Sequence, residues 1–122
     1  MIRRFFAWLF ADPSDPFASL GYDALQSATL DIPGVLAIVS CAPDWYGGTD
    51  AQCDEASVRI EAFRKGFSHP SRRVRRHVGA WCDYAQHNVS YARSQIRKNA
   101  ESRYARELLR SRATQSSKED DQ

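Results

Sequence analysis

Seven apolar side chains constrain this chain more than anything else in it. Val74, Val78, Trp81, Ala85, Val89, Ala92 and Ile96 recur at spacings of 4, 3, 4, 4, 3 and 4. At about 100° per residue they fall within an arc of about 80°, the width of one buried helix face. The pattern predicts a helix over 70–100, opened by Ser68-His69-Pro70, with Gly79 allowing close packing or a mild bend. It also has the rhythm of a coiled-coil seam, thinned by Ala85 and Ala92.

Beyond Ala100 the stripe reverses. The azimuth that carried apolar side chains now carries Arg103, Arg106 and Arg110, while Tyr104, Leu108 and Leu109 point elsewhere. A helix over 70–112 would be roughly 65 Å long, whereas a compact domain of this size has a radius of gyration of about 14 Å. Either the helix breaks near Asn99 or its last turns project beyond the body. Polar and acidic composition predicts a disordered tail over 114–122.

The rest of the chain also leans helical. Asp12-Pro13-Ser14-Asp15-Pro16 is a turn cluster, and Ser14 or Asp15 is placed to cap a helix over 16–29 whose face is Phe17, Leu20, Ala24 and Ala28. The run 35–42 is almost wholly apolar, so periodicity cannot separate a core helix from a buried strand. A strand would need 27–32 as its partner. A helix started by Asp31 and Pro33 is the preferred reading. Thr49-Asp50-Ala51-Gln52 fits a capping box for a helix to about Lys65, with Ala56, Ile60 and Phe63 inward. Gly66 is placed to end that helix in a left-handed conformation. The expected fold is mainly α: a small single-domain helical bundle over 1–113 with a long basic C-terminal helix. An α+β fold with one short hairpin around 27–42 is the alternative. With 122 residues, 43% of them hydrophobic, the chain has material for one modest core.

The net charge of +2 conceals a strong polarity. Residues 1–62 carry −6, residues 63–114 carry +10 and the tail carries −2. The total excludes a histone-like polycation or an acidic mimic of nucleic acid. The polarity leaves two possibilities, attraction between the halves or a basic half that faces an external polyanion. Arg72, Arg73, Arg75 and Arg76 flank Val74 on the first turns of the long helix, an unfavourable place for cations in the helix dipole. Arg93, Arg97 and Lys98 follow on or near the face opposite the stripe, then Arg103, Arg106 and Arg110. Guanidinium groups suit phosphate through bidentate hydrogen bonds and permanent charge. These ten residues are the candidate binding surface, for nucleic acid first and an acidic protein surface second. No zinc finger, RNP pattern or helix-turn-helix accompanies them, so contacts would be to phosphate and weakly sequence-selective. A solvated Arg-rich helix is the plain alternative.

Trp45, Tyr46, Tyr104 and Leu108 are candidate anchors for a protein partner, in an inhibitor or adaptor module. Trp45 and Tyr46 could instead plug the core. The long helix could also pair with itself in a homodimer. At the N-terminus, Arg3-Arg4 and the seven-residue apolar run 5–11 imitate a signal peptide, but Asp12-Pro13 interrupts the run and no convincing cleavage site follows. Residues 1–11 are expected to form an amphipathic first helix in the core. A weak interfacial contact with membrane is the alternative, and would make this a peripheral membrane-associated protein. Cys41, Cys53 and Cys82 lack metal-binding spacing and suggest reduced thiols in the cytoplasm. His77, Cys82 and His87 sit five apart, about 140° between neighbours on a helix, and cannot converge on one metal. Asp44, Asp50, Asp54 and Glu55 lack an EF-hand pattern. No catalytic residue, metal site or cofactor is expected.

Overall fold

The computed structural model describes the backbone of residues 15–120 and the side chains of residues 15–115. The expectations for residues 1–11 as core helix and 1–10 as membrane contact lie outside the described residues. Among the described residues there are four helices: α1 (Tyr22–Leu30), α2 (Val35–Val39), α3 (Asp50–Gly66) and α4 (Arg72–Asp120). The described residues contain no strand, so the 27–42 hairpin is not formed and the mainly α fold is.

The spine is α4, against which each of the other three helices packs. Its buried residues are Val74, Val78, Cys82, Ala85, Val89, Ala92 and Ile96. Six of the seven stripe residues are among them, and Trp81, the seventh, is half-buried beside the core. Antiparallel α3 contributes Cys53, Ala56 and Ile60. Leu25 comes from α1, and Val35 and Ile38 come from α2. One apolar cluster joins them.

Local chemistry sets the ends. The Thr49 hydroxyl accepts the Gln52 N–H at 3.2 Å and the Gln52 side chain accepts the Thr49 N–H at 3.0 Å, completing the capping box of α3. At the start of α4 the buried Ser71 hydroxyl accepts the Val74 N–H at 3.2 Å and donates to Asp15 Oδ2 at 2.6 Å. A carboxylate thereby reaches the positive end of the helix dipole, where it is favourable.

Three local expectations are corrected. The helix expected over 16–29 begins only at Tyr22, because Asp15 closes a turn on the Phe17 N–H and Gly21 is extended. As a result α1 buries Leu25 and Thr29, and Ala24 is exposed. Gly66 is not left-handed: it is the last residue of α3, and the chain leaves through extended Phe67. The only positive φ among the described residues is that of Gly34, at 91°, where the chain turns sharply into α2.

No break occurs near Asn99. Nothing after Gly79 is Gly or Pro, and α4 runs unbroken for 49 residues, about 74 Å. The sequence placed a disordered tail from Thr114, whereas the backbone is helical through Asp120. Ile96 is the last buried residue of α4 among those described, and every residue from 100 to 115 is exposed. The last turns therefore project as an arm.

Candidate polyanion-binding surface

The candidate cations separate by what they touch. Between α3 and α4 runs a ladder of polar pairs in antiparallel register. Arg64 donates to Asp83 at 2.7 Å, Gln86 meets Ser57 and Glu61 at 3.0–3.1 Å, Arg93 donates to Asp54 at 2.6 Å, and Arg97 donates to Asp50 at 3.3 Å. The hydrogen bond to Asp54 raises the pKa of Arg93, and that to Asp83 raises the pKa of Arg64. Arg93 and Arg97 thus use carboxylates of the acidic half. This also occupies two members of the acidic group considered for calcium.

Arg73 and Arg75 are engaged differently. Arg73 donates to the carbonyls of Phe17 and Ala18 at 2.9 and 3.1 Å, tying the turn before α1 to α4. Arg75 donates to the carbonyls of His69 and Pro70, its own N-terminal approach. These side chains help fix the chain path, which accounts for part of the cationic density at a helix start.

Six of the ten candidates remain exposed with no side-chain partner among the described residues: Arg72, Arg76, Lys98, Arg103, Arg106 and Arg110. They form two groups. Arg72, Arg76 and Lys98 lie broadly on the outward face of α4. Arg103, Arg106 and Arg110 continue the core azimuth past the point where the body stops. The α3 partner of that azimuth ends at Asp50, opposite Arg97. The loop before α3 closes the end, where the Asn99 amide donates to the Trp45 carbonyl at 3.0 Å. The three arginines beyond have no facing helix among the described residues.

Trp45 is half-buried against the core, with Tyr46 stacked on it at a centroid distance of 3.7 Å and itself exposed. Trp45 serves as a loop plug, whereas Tyr104, Leu108 and Leu109 are exposed on the arm. Sequence reading passed over Glu101 and Arg112 as site residues, although a helical wheel places both beside Leu108. It also missed the half-buried bond from Trp81 Nε1 to Thr29 Oγ1, at 2.9 Å.

The concave features offer little chemistry. An open hollow of about 420 Å³ is lined by Cys41, Asp44, Gly48, Gln52, Glu55 and Arg59 among others. Burial raises the Cys41 thiol, against the smaller opposing pull of Arg59. A groove of about 310 Å³ lies among Tyr22, His77, Trp81 and Tyr84. Burial, with help from the Arg73 charge, lowers the pKa of His77 there. All three cysteines are free thiols. Among the described residues there is no group of three His, Cys, Asp or Glu side chains that could hold a metal ion, and no helix is long and apolar enough to cross a membrane.

No protein-family model matches the chain, and neither a curated protein nor a solved structure shows significant similarity to it.

Proposed function

We propose that this is a non-catalytic binding protein that docks on a polyanion through the arm of α4. The observation that carries the reading is the line Arg103, Arg106 and Arg110. All three are exposed and without a carboxylate partner among the described residues, on an azimuth that has left the body behind. Their Cα atoms span about 10 Å of helix, comparable with three successive phosphates along one strand. Glu107 flanks the line, four residues after Arg103 and three before Arg110, and pairs with neither among the described residues; the net positive charge that remains suits phosphate contact and offers little means of reading bases. Nucleic acid is therefore the favoured ligand, bound with little sequence preference. Free thiols at Cys41, Cys53 and Cys82 fit a reducing compartment, the cytoplasm.

The test is binding to duplex and single-stranded nucleic acid across a salt series. Three phosphate contacts contribute a slope of about −2.7 in log K against log salt, so a fourfold rise in salt costs about 40-fold in affinity from these contacts alone. R103A/R106A/R110A should flatten the slope by that amount and leave the fold intact. No binding at low salt, or an unchanged slope in the triple variant, refutes the reading. A second reading, an acidic protein surface, is favoured by the exposed Tyr104, Leu108 and Leu109 on the same arm. It predicts a complex that survives nuclease treatment and is less sensitive to salt.

A further inference from the structure

The arm has a second face, and that face complements itself. Measured from Tyr104 at about 100° per residue, Leu108, Glu101, Arg112, Ala105 and Leu109 all lie within about 140°. Arg103, Arg106 and Arg110 lie on the opposite side. The stripe is apolar in its middle, acidic at one end through Glu101 and basic at the other through Arg112. Every member is exposed, Tyr104 and Leu109 to about two-thirds of their surface.

We propose that this stripe is the two-fold interface of a homodimer, formed by antiparallel pairing of two arms. A two-fold contact uses the same patch on both copies, so residue i meets j and j meets i. With Ala105 set against Leu108 of the second copy, Tyr104 meets Leu109, and Glu101 meets Arg112. Each pair occurs twice. A stripe with opposite charges at its ends suits its own antiparallel copy. Its charges cancel, so the stripe offers an anionic membrane or a nucleic acid no net electrostatic attraction.

The geometry leaves room for this partner. The stripe faces about 150° away from the buried azimuth of α4. The second arm would run along the outward face, beside exposed Ser94 and Lys98, and away from the body. The apolar run 5–11 of the same chain cannot take that place. Residue 15 is fastened at Ser71, about 56 Å of helix from Leu108, and residues 1–14 reach at most about 50 Å when fully extended. Pairing also leaves both arginine lines facing outward, so the dimer neither needs nor blocks the phosphate contact.

Sedimentation equilibrium of the full chain, without nucleic acid and at moderate salt, tests the proposal. The interface is short, so the dissociation constant is expected on the order of micromolar. E101R and R112E each turn two attractions into two repulsions and should weaken the dimer about tenfold or more. E101R/R112E restores both pairs in reversed order and should return the dimer to near its original strength. L108D/L109D should be monomeric. These positions are exposed and touch nothing in the body among the described residues, so the variants should remain folded, as circular dichroism will verify. A chain that is monomeric throughout the series overturns the proposal. So does a dimer indifferent to the single reversals or unrescued by the double one. The R103A/R106A/R110A variant should still dimerise, which keeps this outcome separate from that of polyanion binding.

Discussion

The bond between Trp81 and Thr29 gives the sharpest test of how the body is held together. Thr29 is fully buried, and its hydroxyl donates to carbonyls of its own helix, the Leu25 oxygen at 2.8 Å among them. The Thr29 hydroxyl oxygen in turn accepts the indole N–H of Trp81 at 2.9 Å, joining α1 to the spine. Thr29→Val keeps the shape and removes the acceptor, leaving a half-buried N–H unpaired at a cost of about 1–2 kcal/mol. The α1 carbonyls lose nothing essential, since such back-bonding is dispensable to a helix. Trp81→Phe removes the donor and part of the indole volume, also at a cost of about 1–2 kcal/mol. In the double variant a valine faces a phenylalanine with no unpaired group, so the loss of the bond is counted once. The two costs should then sum to about 1 kcal/mol more than the double variant shows. Urea unfolding followed by circular dichroism measures the cycle, and each kcal/mol corresponds to about 4–8 °C in Tm for a body of this size. Additivity within about 0.3 kcal/mol would refute the claim that this bond couples the two helices.

Further perturbations follow from the same packing. Gly48→Ala would place its Cβ 2.6 Å from the Asp44 carbonyl oxygen and 3.0 Å from Pro43 Cβ. Gly34→Ala would meet Phe63 at 2.8 Å in a left-handed conformation. Each should lower stability by about 1–3 kcal/mol in thermal or urea unfolding, whereas Gly66→Ala, with open space at its Cβ, should be neutral or mildly stabilising. The lowered pKa of His77 means that the unfolded chain binds a proton more readily than the folded one. Stability should therefore fall as pH drops below the ordinary histidine value of about 6.5 toward the folded pKa, and be flat in this respect above it. His77→Gln should reduce that acid-side slope, and an unchanged slope would contradict the assignment.

How much of this was legible from sequence depended on the range of the signal. The stripe of α4 spans six turns, and chance does not hold such a phase. Six of its seven residues are buried, and the helix that carries it is the spine. The Thr49 and Gln52 box was legible because capping is chemistry within four residues. The run 35–42 was ambiguous because a helix of five residues is too short to show a period. Glycine was misread at one point for a related reason. Gly66 follows a basic helix end in the manner of a left-handed stop, but the left-handed turn falls at Gly34, where the Phe63 ring also leaves no room for a Cβ. The site was only half legible. A helical wheel finds the arginines, but it cannot tell that Arg93 and Arg97 face Asp54 and Asp50, 39 and 47 residues away. That information exists only once α3 and α4 take their register.

The ladder also decides what the charge polarity is for. Its ion pairs are largely exposed, and such pairs are worth about 0–1 kcal/mol each, so they add little to stability. They do discriminate between registers. Sliding α4 one turn in one sense sets Asp50 against Glu101. Sliding it one turn in the other leaves Asp50 with Arg93 and moves Val89 against Asp54. Only the observed alignment gives Asp50, Asp54 and Arg64 each a partner of opposite charge. The acidic face of α3 is thereby committed to fixing how the two long helices align, and it is consumed at Asp50. Arg103, Arg106 and Arg110 lie beyond its reach in any of these alignments. Their charge takes no part in setting that register, which is the basis for proposing an external anion as their partner.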